Sequence, residues 1–214
     1  MDGKKSLYDF LTNKKVVKFS TIIAFTIVIS LLFIGYYIAA VYGTTDYNLF
    51  DNFISDQGSI KYTPFPYMRT IANVSSGPFF VPFCLYMRKE FLTQTSDEKV
   101  RQIDIGFVGI LGFFLAMICT GIITEDVNIR IHSLLAITAI ALSFIGCTSY
   151  GLFIIKHDTE VPKGVGYFLI LFSPIIAILA ILGFPTRIFY EWIFLFSIWG
   201  GLIACSMFLL KKEK

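Results

Sequence analysis

Six long runs without a charged side chain dominate this chain: Phe19–Val41, Thr70–Met87, Ile105–Thr124, Ile131–Ile155, Val165–Thr186 and Trp192–Leu210. Each is close to the roughly 20 apolar residues that a helix needs to cross the hydrocarbon of a bilayer. In lipid, backbone polar groups must be satisfied within the segment, so runs of this kind are read as helices. The fold class that follows is all-α, a polytopic membrane protein with a single six-helix domain. Its spans are expected over about 17–42, 67–88, 103–124, 130–155, 165–186 and 188–210.

Orientation follows from the basic residues. Of the 18 Lys and Arg residues, fourteen fall on one side of that arrangement. They are Lys4, Lys5, Lys14, Lys15 and Lys18 before the first run, Arg88, Lys89, Lys99 and Arg101 after the second, Lys156 and Lys163 after the fourth, and Lys211, Lys212 and Lys214 at the end. Cationic loops stay in the cytoplasm, so both termini are expected there. Lys61, Arg69, Arg130 and Arg187 remain outside with Asp46, Asp51, Asp56, Glu125, Asp126 and Glu191. A content of 56% hydrophobic and only 15% charged residues is a membrane balance, and the net charge of +3 is explained by the loops without nucleic acid.

Cys84, Cys119, Cys147 and Cys205 all fall inside the expected spans, so no exposed disulfide is expected. The first run is too long for a signal-peptide core and reads as an uncleaved span. Asn73-Val74-Ser75 matches the glycosylation pattern but lies inside the second run, where no modification is expected. Leu7, Tyr8, Phe10 and Leu11 among lysines suggest a short interfacial helix.

One loop is long. Thr44 to about Tyr67 carries turn formers at Asp56-Gln57-Gly58-Ser59 and Thr63-Pro64-Phe65-Pro66, with Gly58 free to take a positive φ. Its aromatic residues predict that it lies over the helices. Gly106, Gly109 and Gly112 recur on the third span and predict a close helix contact. Pro78, Pro82 and Pro174 are expected to bend theirs.

Ionisable groups at a membrane boundary are costly unless paired or wet, which makes them candidates for function. Arg69 and Asn73 share one face of the second span, where the bland alternative is a snorkelling arginine. Glu125-Asp126 precede His132, with Thr124 or Asp126 as the helix cap. A neutral imidazole there can serve as a general base with Asp126 or Glu191 orienting it, or can be a hydrogen-bonded core histidine. Glu191 can pair with Arg187, Arg69 or His132, and Trp192 suits an interfacial aromatic belt. Gly-x-Ser-x-Gly is absent, and two histidines are too few for a three-histidine zinc site, so neither metal nor cofactor is expected.

Ile54-Ser55-Asp56-x-Gly58, Asn73 and Gly77, Glu125-Asp126, Ile131-His132 and Glu191-Trp192 occur in order through one six-span chain. That set resembles the family of the FGF-receptor-activating protein, the damage-regulated autophagy modulators and the post-GPI-attachment lipid remodelling factor. Glu125-Asp126 and His132 look more like the remodelling branch, which is linked to fatty-chain exchange on GPI anchors at the lumenal face of the Golgi. Ser55-Asp56-x-Gly58 looks more like the lysosomal autophagy branch.

The remodelling branch implies a lipid-remodelling membrane protein with His132, Asp126 and Glu191 as the catalytic set. Arg69, Asn73, Ser55 and Asp56 would meet the lipid headgroup, with membrane lipids and GPI-anchored proteins as partners. The other branch implies a non-enzymatic lipid-binding or autophagy-modulating protein. Lys211 and Lys212 resemble a dilysine address read by coatomer, which implies endoplasmic reticulum or Golgi rather than lysosome or plasma membrane.

Overall fold

The computed structural model describes residues 6–95, 100–182 and 187–211. The expectations for Lys4, Lys5, Lys99, Lys212 and Lys214, and those for the side chains of Pro174 and Arg187, lie outside what is described. Among the described residues helices are the only regular secondary structure and no strand forms. The helices are α1 (Leu7–Leu11), α2 (Lys14–Tyr42), α3 (Tyr67–Thr93), α4 (Val100–Ile122), α5 (Glu125–Lys156), α6 (Lys163–Leu182) and α7 (Arg187–Lys211), with one 3-10 turn at Ser55–Gly58.

Four of these, Lys14–Tyr42, Val100–Ile122, Glu125–Lys156 and Glu191–Lys211, are long and apolar enough to cross a membrane. The first half of α3 carries Arg69, Thr70, Asn73, Ser75 and Ser76, and the described apolar part of α6 is Lys163–Phe172. Large apolar side chains stand exposed along the helices, among them Phe19, Ile22, Val108, Leu134 and Ile137. An apolar surface of this extent is out of place in water and suits acyl chains.

Local chemistry sets the helix ends. Ser6 accepts from the Asp9 N–H while Asp9 accepts from the Ser6 N–H, a capping box that starts the short α1. Asn13 caps α2 through the Lys15 N–H. α5 has two starts. Its first turn begins at Glu125, but Asn128 is extended (φ −164°, ψ 100°) and its Oδ1 accepts from the Ile131 N–H. Asn128 is therefore the side-chain cap of the long helix, and the expected caps Thr124 and Asp126 are not: Thr124 makes no capping bond, and Asp126 bonds elsewhere. α3 runs through Pro78 and Pro82 as one continuous helix.

Each helix packs against the next, and α7 returns to the start of the chain. Phe33 and Tyr36 of α2 meet Phe196 and Trp192 of α7, and the Tyr86 hydroxyl of α3 donates to the Leu209 carbonyl. Phe80 stacks on Phe114 at 3.8 Å and takes the edge of Phe25, joining α2, α3 and α4.

α4 and α5 approach most closely. Gly106 faces the Tyr150 ring, Gly112 faces Leu142, and a Cβ on Gly109 would stand 2.5 Å from the Gly146 nitrogen. Small residues allow this backbone contact, as the three-residue glycine spacing predicts. The alternation of helix direction gathers the N-termini of α3, α5 and α7 at one end with the 43–66 loop. α1, Arg88, Lys89, Arg101 and Lys156 gather at the other.

Candidate functional site

The loop is ordered and held from three sides. Tyr47, Asn52, Ile54, Asp56, Gln57, Ser59 and Thr63 are all buried. Glu191, just past the first turn of α7, accepts the Ile54 N–H at 2.8 Å, and the Trp192 indole donates to the Asn52 carbonyl at 3.2 Å. From α5, Asp126 accepts the Ser59 hydroxyl at 2.7 Å and the Ile60 N–H at 2.8 Å. Both carboxylates gain charge-assisted bonds, and Asp126, in the first turn of α5, gains the positive end of its helix as well. Trp192 is thus not a residue of an interfacial belt; only 4% of it is exposed, and its ring closes the bundle against Tyr36.

The 3-10 turn lies on α2, α3 and α5. Gly58 does not use a positive φ. A Cβ there would make ordinary contacts, 3.7 Å from Arg69 Cδ and from Thr124 Cγ2, so the turn packs directly over Arg69 without needing glycine for space. Gly35 of α2 makes room for the Gln57 amide, whose oxygen would lie 2.7 Å from a Cβ at that position. Asp56 turns back on its own loop and accepts the Phe53 N–H at 2.9 Å. Tyr47 donates to the Phe53 carbonyl at 2.7 Å. Burial pushes the Tyr47 hydroxyl far above the usual phenol range, so it remains a donor.

Beneath the turn lies Arg69, 5% exposed, with Nε and Nη1 buried and without a hydrogen-bond partner among the described residues. It forms no ion pair among the described residues. One helical turn deeper, Asn73 is 4% exposed and its Nδ2 also lacks a partner. Gly121 faces Asn73, and Thr70 donates to the Gly121 carbonyl at 2.8 Å, which fixes this face of α3 against α4.

His132 is 4% exposed. Its Nδ1 lies 2.7 Å from the Ile123 carbonyl, and a carbonyl only accepts, so Nδ1 carries the proton. In the neutral ring Nε2 then presents a lone pair. The nearest carboxylate is Glu125, at 3.9 Å from Nε2. Asp126 and Glu191, expected to orient the imidazole, are both engaged by the loop, so that orienting role falls to the Ile123 carbonyl. Ser55 is half-buried, and no hydrogen bond joins its hydroxyl to His132.

Arg69, Asp56, His132 and Glu191 lie near one another, while Asp126 is turned to Ser59 and Ile60 of the loop. Arg69 lies within electrostatic range of Asp56, Glu191, Tyr47 and His132, and Glu125 within range of Asp56, Glu191 and His132. Tyr47 and Gln57 complete the cluster and were not nominated, because an aromatic and an amide in a polar loop carry no signal until the loop is folded down. No group of metal-binding side chains forms among the described residues.

Burial raises Asp56 above the usual carboxylate range, opposed by the Phe53 N–H. A group with a raised folded-state pKa contributes stability below its unfolded pKa and loses it as pH rises through the folded value. Asp56→Asn, which keeps an acceptor for Phe53, is therefore expected to melt higher than the parent at neutral pH. The gap should close on acidification, as seen by thermal unfolding in detergent across a pH series. A constant gap would mean that Asp56 is not the group titrating.

The search for similar proteins adds no identity to this geometry: no family description, no curated protein and no solved structure matches this chain.

Proposed function

We propose that this chain is a six-span membrane protein of the secretory pathway, with both termini cytoplasmic, that handles a lipid at its non-cytosolic end. The observation that carries the reading is Arg69, a guanidinium buried with Nε and Nη1 unpartnered at the meeting point of three helix N-termini. An unsatisfied buried donor calls for a ligand or an ion, and a planar guanidinium suits phosphate. The charge distribution supports the orientation, since the basic residues collect at the end opposite the loop. An apolar groove of about 500 Å³ between α2 and α7, lined by Phe33, Tyr36, Phe189, Trp192 and Phe196, opens beside the cluster and suits an acyl chain.

In the resemblance to the remodelling factor, the reaction is fatty-chain exchange on GPI anchors in the endoplasmic reticulum or Golgi. His132 supports it with an Nε2 lone pair and a tautomer fixed by Ile123. His132→Ala should then leave expression and sorting unchanged while altering the fatty-acid composition of GPI anchors in cells that rely on the variant. Normal anchors in those cells would remove the catalytic role. One observation favours the second reading, a lipid-binding or autophagy-modulating protein without chemistry: no hydroxyl or thiol nucleophile is hydrogen-bonded to His132 among the described residues.

A further inference from the structure

The charges around Arg69 restrict what its ligand can be. Asp56, Glu125 and Glu191 lie within electrostatic range of one another, against the buried guanidinium of Arg69 and the exposed ammonium of Lys61, which reaches Asp56 and Glu125, so the carboxylates still outnumber the cations. Three carboxylates repel a purely anionic headgroup, even though Arg69 and Asn73 offer unused donors. The carboxylates are not equivalent. Glu191 holds the Ile54 N–H, and Asp56 holds the Phe53 N–H. Glu125, at the start of α5, is half-buried, accepts no hydrogen bond among the described residues and lies 3.9 Å from His132 Nε2.

We propose that the cluster under the 3-10 turn receives a lipid headgroup bearing both a phosphate and a primary ammonium, with the phosphate on Arg69 and Asn73 and the ammonium on Glu125. The inference rests on the headgroup reading above and names its chemical class. A phosphate supplies acceptors to Arg69 Nε and Nη1 and to Asn73 Nδ2, buried donors without a partner among the described residues. A primary ammonium supplies three donors to a carboxylate that lacks any and offsets the acidic excess. A quaternary ammonium has no N–H, so a choline headgroup fits less well. The turn covers Arg69, so ligand entry requires the Asp126 and Glu191 contacts to part, and a bound lipid should leave slowly.

The test is native mass spectrometry of the full-length protein in detergent. It is offered equal amounts of phosphatidylethanolamine, phosphatidylcholine and phosphatidylglycerol with identical chains. The expected result is retention of the ethanolamine lipid about tenfold over the other two, a difference of about 1.4 kcal/mol. Glu125→Gln should abolish that preference while keeping lipid bound. Arg69→Gln should lose retention of every headgroup, and Arg69→Lys, which keeps the charge but not the fork, should weaken it; both are compared at matched melting temperature.

Equal retention of the three lipids, still dependent on Arg69, overturns the ammonium assignment and leaves the phosphate reading intact. Retention indifferent to both Arg69 variants overturns both. Displacement of the lipid by millimolar soluble phosphoethanolamine would show that a free phosphate compound, and not a lipid, is the ligand.

Discussion

Gly109→Leu is expected to leave little folded protein. A Cβ at this position stands 2.5 Å from the nitrogen and 2.6 Å from the Cα of Gly146, and 2.8 Å from the Leu142 carbonyl. These are backbone atoms of a neighbouring helix, and no rotamer change relieves them. Overpacking a well-filled core costs about 1–3 kcal/mol, and a backbone clash between α4 and α5 belongs at or above the top of that range. Two controls separate the clash from any general effect of losing a glycine. At Gly112 the same atom would meet the end of Leu142 at 3.0 Å, which can move, so Gly112→Ala should cost far less. At Gly200 nothing lies within 4 Å, and alanine in a helix is favoured by about 0.5–1 kcal/mol over glycine. Thermal unfolding in one detergent should therefore rank Gly200→Ala above the parent, Gly112→Ala slightly below it and Gly109→Leu far below. A melting temperature for Gly109→Leu equal to the parent's would contradict the close α4–α5 crossing.

Asp126→Ala should release the loop while leaving the bundle folded. The carboxylate is the sole α5 acceptor for both the Ser59 hydroxyl and the Ile60 N–H among the described residues. Hydrogen bonds to a charged group contribute about 1.5–3 kcal/mol each, so losing both removes about 3 kcal/mol or more from the closed state. That corresponds to at least a hundredfold rise in local opening. Amide exchange at Ile60 and its neighbours should accelerate by that order, with exchange in α4 and α7 unchanged. Unchanged protection at Ile60 would mean that Glu191 and Trp192 hold the loop without help from α5.

The long helices were legible because burying a backbone in lipid leaves few alternatives, and an uncharged run of about 20 residues has one outcome. The α4–α5 contact was legible for a related reason: Gly106, Gly109 and Gly112 mark a stripe where backbones can meet. The site was legible by inventory and not by pairing. Asp126 and His132 are close in sequence, which suggested that one orients the other. The folded loop brings Ser59 to Asp126 across 67 positions and takes the carboxylate away. Thr124 and Asp126 stand where a helix with one start would be capped, and the side-chain cap falls to Asn128 because α5 has two starts. Gln57 and Gly35 illustrate what spacing cannot express, an amide whose place depends on a missing side chain on another helix.

The central claim is that Arg69 is completed by a ligand and not by the protein. An electron-microscopy map of the protein, extracted from its own membranes into lipid nanodiscs, tests it most directly. The account predicts non-protein density within hydrogen-bond distance of Arg69 Nε and Nη1, with Asp126 and Glu191 still on the loop. A guanidinium paired directly with Asp56, Glu125 or Glu191, with no density beside it, would contradict it.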